Sequence, residues 1–248
     1  MRETKIYLVT GNDELRNRNL FIENLLYHKS LMGEKSLLID LIINNRCFVD
    51  EAVKNKNTTR NNELFAYHTD MKIPSVLFEK LHVELKGRKA QEIIKQENDF
   101  TSIILFGELL TDFTSLYQCV DHIILVVKND YETSNYLFNF INKLYDKMID
   151  KNINLIISGI KRIEDAAQLF CKLRDEMKEM IDSSLVFDFL GYLYFDIKKI
   201  SIAKNKKKLY IKIFFEDDFH GSIKYINEKM HGLEYLKVNS LFKELAEK

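Results

Sequence analysis

A chain of 248 residues that is 46% hydrophobic and 30% charged, with one proline and eight glycines, has a globular composition and can bury one large α/β core. Its 37 Lys and Arg balance 37 Asp and Glu, so no net field draws it to DNA or to anionic lipid, and any such contact has to come from a local patch. Cys47, Cys119 and Cys171 are widely spaced with no CxxC pair, which excludes a patterned disulfide framework or zinc site and points to free thiols in a reducing compartment. The longest apolar runs, "SLLIDLII" and "HIILVV", are far shorter than a membrane span, and the first ten residues carry no signal-peptide stretch. The expectation is a soluble cytoplasmic protein.

Short apolar runs alternate with longer segments of helical period, the pattern of βα units around a mainly parallel sheet. Strands are predicted near 5–10, 36–42, 63–67, 102–107, 122–127, 153–159 and 187–193. Most are continuously apolar, as strands are when helices cover both faces of a sheet. A long amphipathic segment follows the first strand. Residues 44–63 are polar and Asn-rich and predict a mobile surface loop. Segment 131–148 carries Leu137, Ile141, Leu144 and Met148 at helical spacing. In 163–181 the same stripe is Ile163, Ala166, Phe170, Leu173, Met177 and Ile181; both stripes read as core faces rather than cofactor contacts. No boundary divides the chain, so residues 1–248 are expected to form a single doubly wound α/β domain.

The first strand enters "TGNDELRNRNL", and a second strand follows the helical segment and reaches Asp40. That order frames a P-loop, G-x-x-x-x-G-K-[ST], whose glycines let backbone N–H groups face phosphate while the lysine neutralises it and the hydroxyl ligates magnesium. On this spacing Gly11 takes the first glycine, Arg16 the second, Asn17 the lysine and Arg18 the hydroxyl. Only Gly11 fits. Asp13 and Glu14 fall inside the loop, where one carboxylate about 4 Å from one phosphate charge costs on the order of 4 kcal/mol at an effective dielectric of about 20. The missing lysine removes an attraction of similar size. The bulk of the two arginines falls where main chain has to approach closely, although they could hold some other anion. Ordinary ATP binding is not expected.

Across residues 5–210 the order strand, loop, helix, "LMGEKSLLID" resembles the MinD/ParA family of P-loop ATPases, whose members typically read "GKGGVGKT…LGKKVLLLDAD". Segment 155–204, "LIISGIKRIEDAAQLFCKLRDEMKEMIDSSLVFDFLGYLYFDIKKISIAK", is similar to the flagellar-number-regulator branch of that family, FlhG/YlxH. The resemblance implies a P-loop NTPase fold and a dimer that sandwiches ATP. For the flagellar branch it also implies an N-terminal activator segment for the GTPase FlhF, for which a first strand starting within five residues leaves no room. Carried over by position, the family's signature lysine falls on Asn12 and its P-loop lysine on Asn17. The first Asp of "DAD" falls on Asp40 and the second on Ile42. The magnesium-associated Asp falls on Phe106, and the adenine-reading Asn on Ser158. Of these, Asp40 alone keeps the family's residue. Gly11, Asn12, Asp13, Glu14, Arg16, Asn17, Arg18, Asp40, Ile42, Phe106 and Ser158 thus define a vestigial nucleotide pocket.

Three other stretches carry chemistry. Lys198, Lys199, Lys204, Lys206, Lys207 and Lys208 form a basic run that could meet nucleic acid or anionic lipid, but no aromatic interleaves before Tyr210, so a solvated helix end is the simpler reading. Near the C-terminus Tyr235, Val238, Leu241, Phe242 and Leu245 share one face of a helix predicted within 232–248. Its lysines are offset by glutamates, which favours packing on the domain or a partner over a membrane surface. "FEDDFHG" (215–221) groups Glu216, Asp217, Asp218 and His220 and reads as a helix start rather than a metal site. The other histidines show no ligand spacing.

The sequence therefore predicts a non-catalytic regulatory or binding protein with a degenerate Walker motif, metal-free and cofactor-free. It would act through protein partners such as a flagellar protein or a MinD/ParA-like paralogue, as a homo- or heterodimer, either free in the cytoplasm or at the inner membrane face. The alternatives are an ATPase that retains ATP and magnesium, and an adaptor for DNA or membrane surfaces.

Overall fold

The computed structural model describes residues 5–34, 36–40, 65–67, 102–107, 120–146, 152–180, 187–206 and 208–232. Strands β1 (Lys5–Thr10), β2 (Ser36–Asp40), β3 (Phe65–Tyr67), β4 (Ser102–Phe106), β5 (His122–Lys128), β6 (Ile153–Ser158) and β7 (Phe187–Leu193) form one sheet in the order β3-β2-β4-β1-β5-β6-β7. Every pairing is parallel. All seven predicted strands are present, with ends shifted by no more than two residues where described. The predicted loop 44–63 and the helix within 232–248 lie outside the described residues, apart from Gly232 at the end of the last helix.

Two cores explain why most of the strands are largely apolar. Ile6, Leu8, Ile123, Leu125 and Val127 point to one face, under α2 (Thr133–Asp146) and α3 (Ile163–Met180). Tyr7, Val9, Ile124 and Val126 point to the other, under α1 (Leu15–Leu31), α4 (Ile197–Asn205), α5 (Tyr210–Ile213) and α6 (Asp218–His231). Successive side chains alternate between faces, so a strand covered on both sides is apolar at most positions, and a polar residue such as Asn154 bonds within the sheet, its Nδ2 donating to the Ile123 carbonyl at 3.2 Å. The stripes on α2 and α3 are core faces as predicted where described: Leu137, Ile141, Leu144, Ala166, Phe170, Leu173 and Met177 are buried and Ile163 is partly buried, while Met148 and Ile181 lie outside the described residues.

Helix α1 departs from the amphipathic pattern. Phe21, Ile22, Glu23, Asn24, Leu25 and Leu26 are buried in succession, because the sheet covers one side and α5 and α6 cover another. The buried amide of Asn24 has a use there: its Oδ1 accepts the Ile211 N–H at 3.0 Å, capping α5, whose own N-cap residue makes no side-chain bond. At the far end of α1, Glu34 accepts from Lys29 Nζ at 2.8 Å and Asn227 Nδ2 at 3.2 Å, and meets His231 Nε2 at 2.6 Å. This joins the C-terminal ends of α1 and α6.

Helix starts follow the acidic residues. Asp196 accepts from the N–H groups of Lys198 and Lys199 to cap α4. Asp217 caps α6 through the His220 N–H at 3.0 Å, and its other oxygen takes the Tyr210 hydroxyl at 2.7 Å and Lys199 Nζ at 3.2 Å. The "FEDDFHG" stretch is a helix start, as read from the sequence. Among the described residues no group of three or more His, Cys, Asp or Glu is placed to hold a metal ion.

Candidate functional site

β1 lies at the centre of the sheet, between β4 and β5. The chain first builds outward from it through β2 and β3, then returns and crosses to β5 on the other side, so the carboxyl end of β1 is the topological switch point, where doubly wound sheets place ligands. The turn Gly11–Glu14 occupies that point and leads into α1 at Leu15. Gly11 has φ +149°, and a Cβ there would stand 1.9 Å from the Val126 carbonyl oxygen. The Asp13 N–H then donates to the same oxygen at 3.2 Å. The turn is pressed against the main chain of β5, and only a residue without a side chain permits it.

Side chains of this segment make a network of bonds within the turn and to neighbouring elements. Asp13 is 5% exposed and sits at the N-terminal end of α1, where the helix dipole favours an anion. Its Oδ1 accepts from the Glu14 N–H at 2.8 Å and Asn17 Nδ2 at 3.1 Å; its Oδ2 is buried without a hydrogen-bond partner. Asn17 N–H and Arg18 N–H both donate to the Glu14 carbonyl. Arg18 is 4% exposed. Its Nε donates to the Asp13 carbonyl at 3.1 Å and its Nη1 to the Gly107 carbonyl at 3.3 Å, with the guanidinium 5.9 Å from the Phe106 ring centroid. Asn12 spans two elements: its Oδ1 accepts the Lys128 N–H at 3.0 Å and its Nδ2 donates to Thr133 Oγ1 at 3.1 Å. A lysine here could not accept the first of these bonds.

The structure thus brings Gly11, Asn12, Asp13, Asn17, Arg18 and Phe106 together. Asp40 pairs in register with Phe106, and Ser158, buried, ends β6 opposite Lys128 and Leu193. Ile42 lies outside the described residues. The sequence register put Arg16, Asn17 and Arg18 in the loop, with arginine bulk as the obstruction. The helix instead begins at Leu15, so these three belong to its first turn. Arg18 folds inward as a buried ion, and Arg16 points out. An open cleft of about 450 Å³ borders the turn, lined by Asp13 and Arg18 together with Tyr136 and Lys143 of α2.

The basic run is largely a solvated helix face: Lys198, Lys204, Lys206 and Lys208 are exposed, while Lys199 is tied to Asp217. Lys207 lies outside the described residues. So do Tyr235, Val238, Leu241, Phe242 and Leu245.

Sequence spacing gave no sign of a buried histidine pair. His28 of α1 and His220 of α6 are 7% and 8% exposed, with ring centroids 5.5 Å apart. Burial lowers the pKa of both. For His28 the positive charge of a protonated His220 and of Lys224 adds to the lowering, against Glu34 and Glu228; for His220 Lys224 adds to it, against Asp217 and Glu216. A histidine whose folded pKa is lowered stabilises the fold above its unfolded pKa of 6.5 and loses that contribution as pH falls below it. Thermal stability is therefore expected to fall as pH drops from about 7 towards 5. His28→Leu should flatten that slope in melting curves across the range.

A parallel, doubly wound sheet with a strand–turn–helix at its switch point is the architecture of the P-loop NTPases. Comparison with solved structures narrows the class. The MinD cell division protein of Aquifex aeolicus matches with a TM-score of 0.65 at 14% identity, over 94% of this chain and 99% of that one. A plasmid partition protein from Borrelia burgdorferi B31, bound to AMPPNP, matches with a TM-score of 0.61 at 14% identity, over 92% and 99%. A ParA family ATPase from Chlorobium tepidum TLS matches at 0.60 and 9%, again over 92% and 99%. No family model and no curated protein sequence matches the chain. The protein has the MinD/ParA-like P-loop NTPase fold.

Proposed function

We propose that this is a non-catalytic MinD/ParA-like regulatory protein whose nucleotide site has been replaced by internal ions. The observation that carries this reading is the buried pair of charged side chains at the turn. The Asp13 carboxylate lies at the α1 N-terminus and uses donors that phosphate would need. The Arg18 guanidinium is held by two carbonyls beneath the turn. With these contacts made within the chain, the turn has one conformation whether or not nucleotide is present, and the ATP-dependent switch is absent. Magnesium would meet Phe106 and Arg18 in place of a carboxylate and a hydroxyl.

Isothermal titration of the full chain with ATP and magnesium tests the reading. No measurable heat at millimolar nucleotide is expected, and a micromolar dissociation constant or any hydrolysis would overturn it. The opposing reading, a protein that still binds ATP, is favoured by the open cleft beside the turn, with Arg18 and Lys143 in its walls, and by the AMPPNP bound to the Borrelia protein.

Partner binding is the output this reading leaves. One of the matching structures is a MinC:MinD cell division protein complex from Aquifex aeolicus, and a protein partner or a second MinD/ParA-like chain is the corresponding proposal here. Segment 155–204 favours a role in flagellar number or placement through its likeness to the FlhG/YlxH branch. Among the described residues no helix is long and apolar enough to cross a membrane.

A further inference from the structure

A second cavity adjoins the first half of α1. It is a groove of about 310 Å³ between the first half of α1 and the α4–α5 segment, within the size range of ligand pockets. Leu15 and Leu20 form one wall, and Ile200, Ala203, Leu209 and Tyr210 the other. Arg16, Lys204 and Lys208 also line it. These three are exposed, and none is in an ion pair among the described residues.

The uncharged or buried polar side chains of the groove already make interactions in the fold. The Tyr210 hydroxyl donates to Asp217 at 2.7 Å, and Asn19 and Glu23 are both engaged within the fold. A nucleobase or a peptide backbone would compete with these bonds and would lose hydrogen bonds to water on entering. A saturated hydrocarbon loses none. The charged residues reverse the balance: three exposed cations from two separate segments line the groove with one carboxylate, that of Glu23, and an anion bound there meets a net positive charge.

We infer that this groove binds an alkyl carboxylate, with the chain along the apolar walls and the carboxylate among Arg16, Lys204 and Lys208. This assignment does not rest on the nucleotide reading, because Asp13 and Arg18 face the other cleft. Ligand in this position would bridge α1 and α4 and hold the basic face of α4 against the domain.

The test is calorimetric titration of the full-length chain with decanoate below its micellar concentration, beside decanol and decyltrimethylammonium. One decanoate per chain is expected, bound at least tenfold more tightly than decanol, with the cationic probe not binding. The exposed double variant Lys204→Glu, Lys208→Glu should weaken decanoate at least tenfold and leave decanol unchanged. Ala203→Leu, which narrows the groove, should weaken both. Absence of decanoate binding, equal affinity for decanoate and decanol, or unaltered decanoate affinity in the charge-reversed protein would each overturn the assignment.

Discussion

Replacing Glu34 by alanine is expected to destabilise the protein by about 3–5 kcal/mol, the usual result of removing one partner from a buried ion pair. In a chain of this size that corresponds to a fall in Tm of roughly 10 °C. Lys29 is the reason: its side chain is 1% exposed and its ammonium donates to Glu34 at 2.8 Å. Without Glu34 the charge stays buried and unpaired, and the links to Asn227 and His231 are lost with it. Burial lowers the Lys29 pKa, only partly offset by Glu34, so a lone Lys29 would be driven further towards its neutral form.

Glu34 itself is pushed up by burial, but the charge of Lys29 and the hydrogen bonds from Lys29, Asn227 and His231 outweigh this and hold its carboxyl below the ordinary range. The contribution is therefore present above the unfolded carboxylate pKa and is lost as pH falls through the folded value. Thermal denaturation followed by circular dichroism checks the size of the effect. The double variant Lys29→Met, Glu34→Ala, which removes both charges, should recover much of the loss. A Glu34→Ala protein melting within about 2 °C of the parent would mean that Lys29 is not dependent on this carboxylate.

The second large effect is expected at Gly11. Alanine there places a Cβ 1.9 Å from the Val126 oxygen at a φ of +149°. Backbone displacement and conformational strain together should cost about 3–5 kcal/mol. Gly33 supplies the control, since its φ is +74° yet nothing lies within 4 Å of where a Cβ would stand. Gly33→Ala carries only the left-handed conformational cost, about 1–2 kcal/mol. Denaturant titration of both variants separates the two terms: the difference between them measures the clash with β5. Equal costs would show that the turn moves away from Val126 freely, and with it the argument for a turn of fixed conformation would fail.

The central strands were legible because β1, β4, β5 and β6 are covered on both faces, which leaves runs of mostly apolar residues. The caps at Asp196 and Asp217 were legible for a similarly local reason, since an acidic residue just before a helical stretch bonds N–H groups two or three residues ahead. Helix α1 was harder. Its burial on several sides follows from α5 and α6, whose residues come nearly two hundred positions later, and so a helix read as amphipathic carries Glu23, Asn24 and Lys29 inside. The turn after β1 was half legible. Spacing located the turn and its residues, but it could not show that Arg18 turns inward to two carbonyls while Arg16 is exposed at another groove.

Sequence alone determined the fold class and the order of elements, because these depend on hydrophobic period, and it showed that residues 11–18 do not spell G-x-x-x-x-G-K-[ST]. Tertiary structure decided which charges are neutralised internally. Glu34 meets His231 across 197 residues and Asn227 across 193, and His28 meets His220 from a different helix. Such pairings are set by how helices cross, which no local pattern encodes, and they decide which ionisable groups are structural and which remain free to bind a ligand.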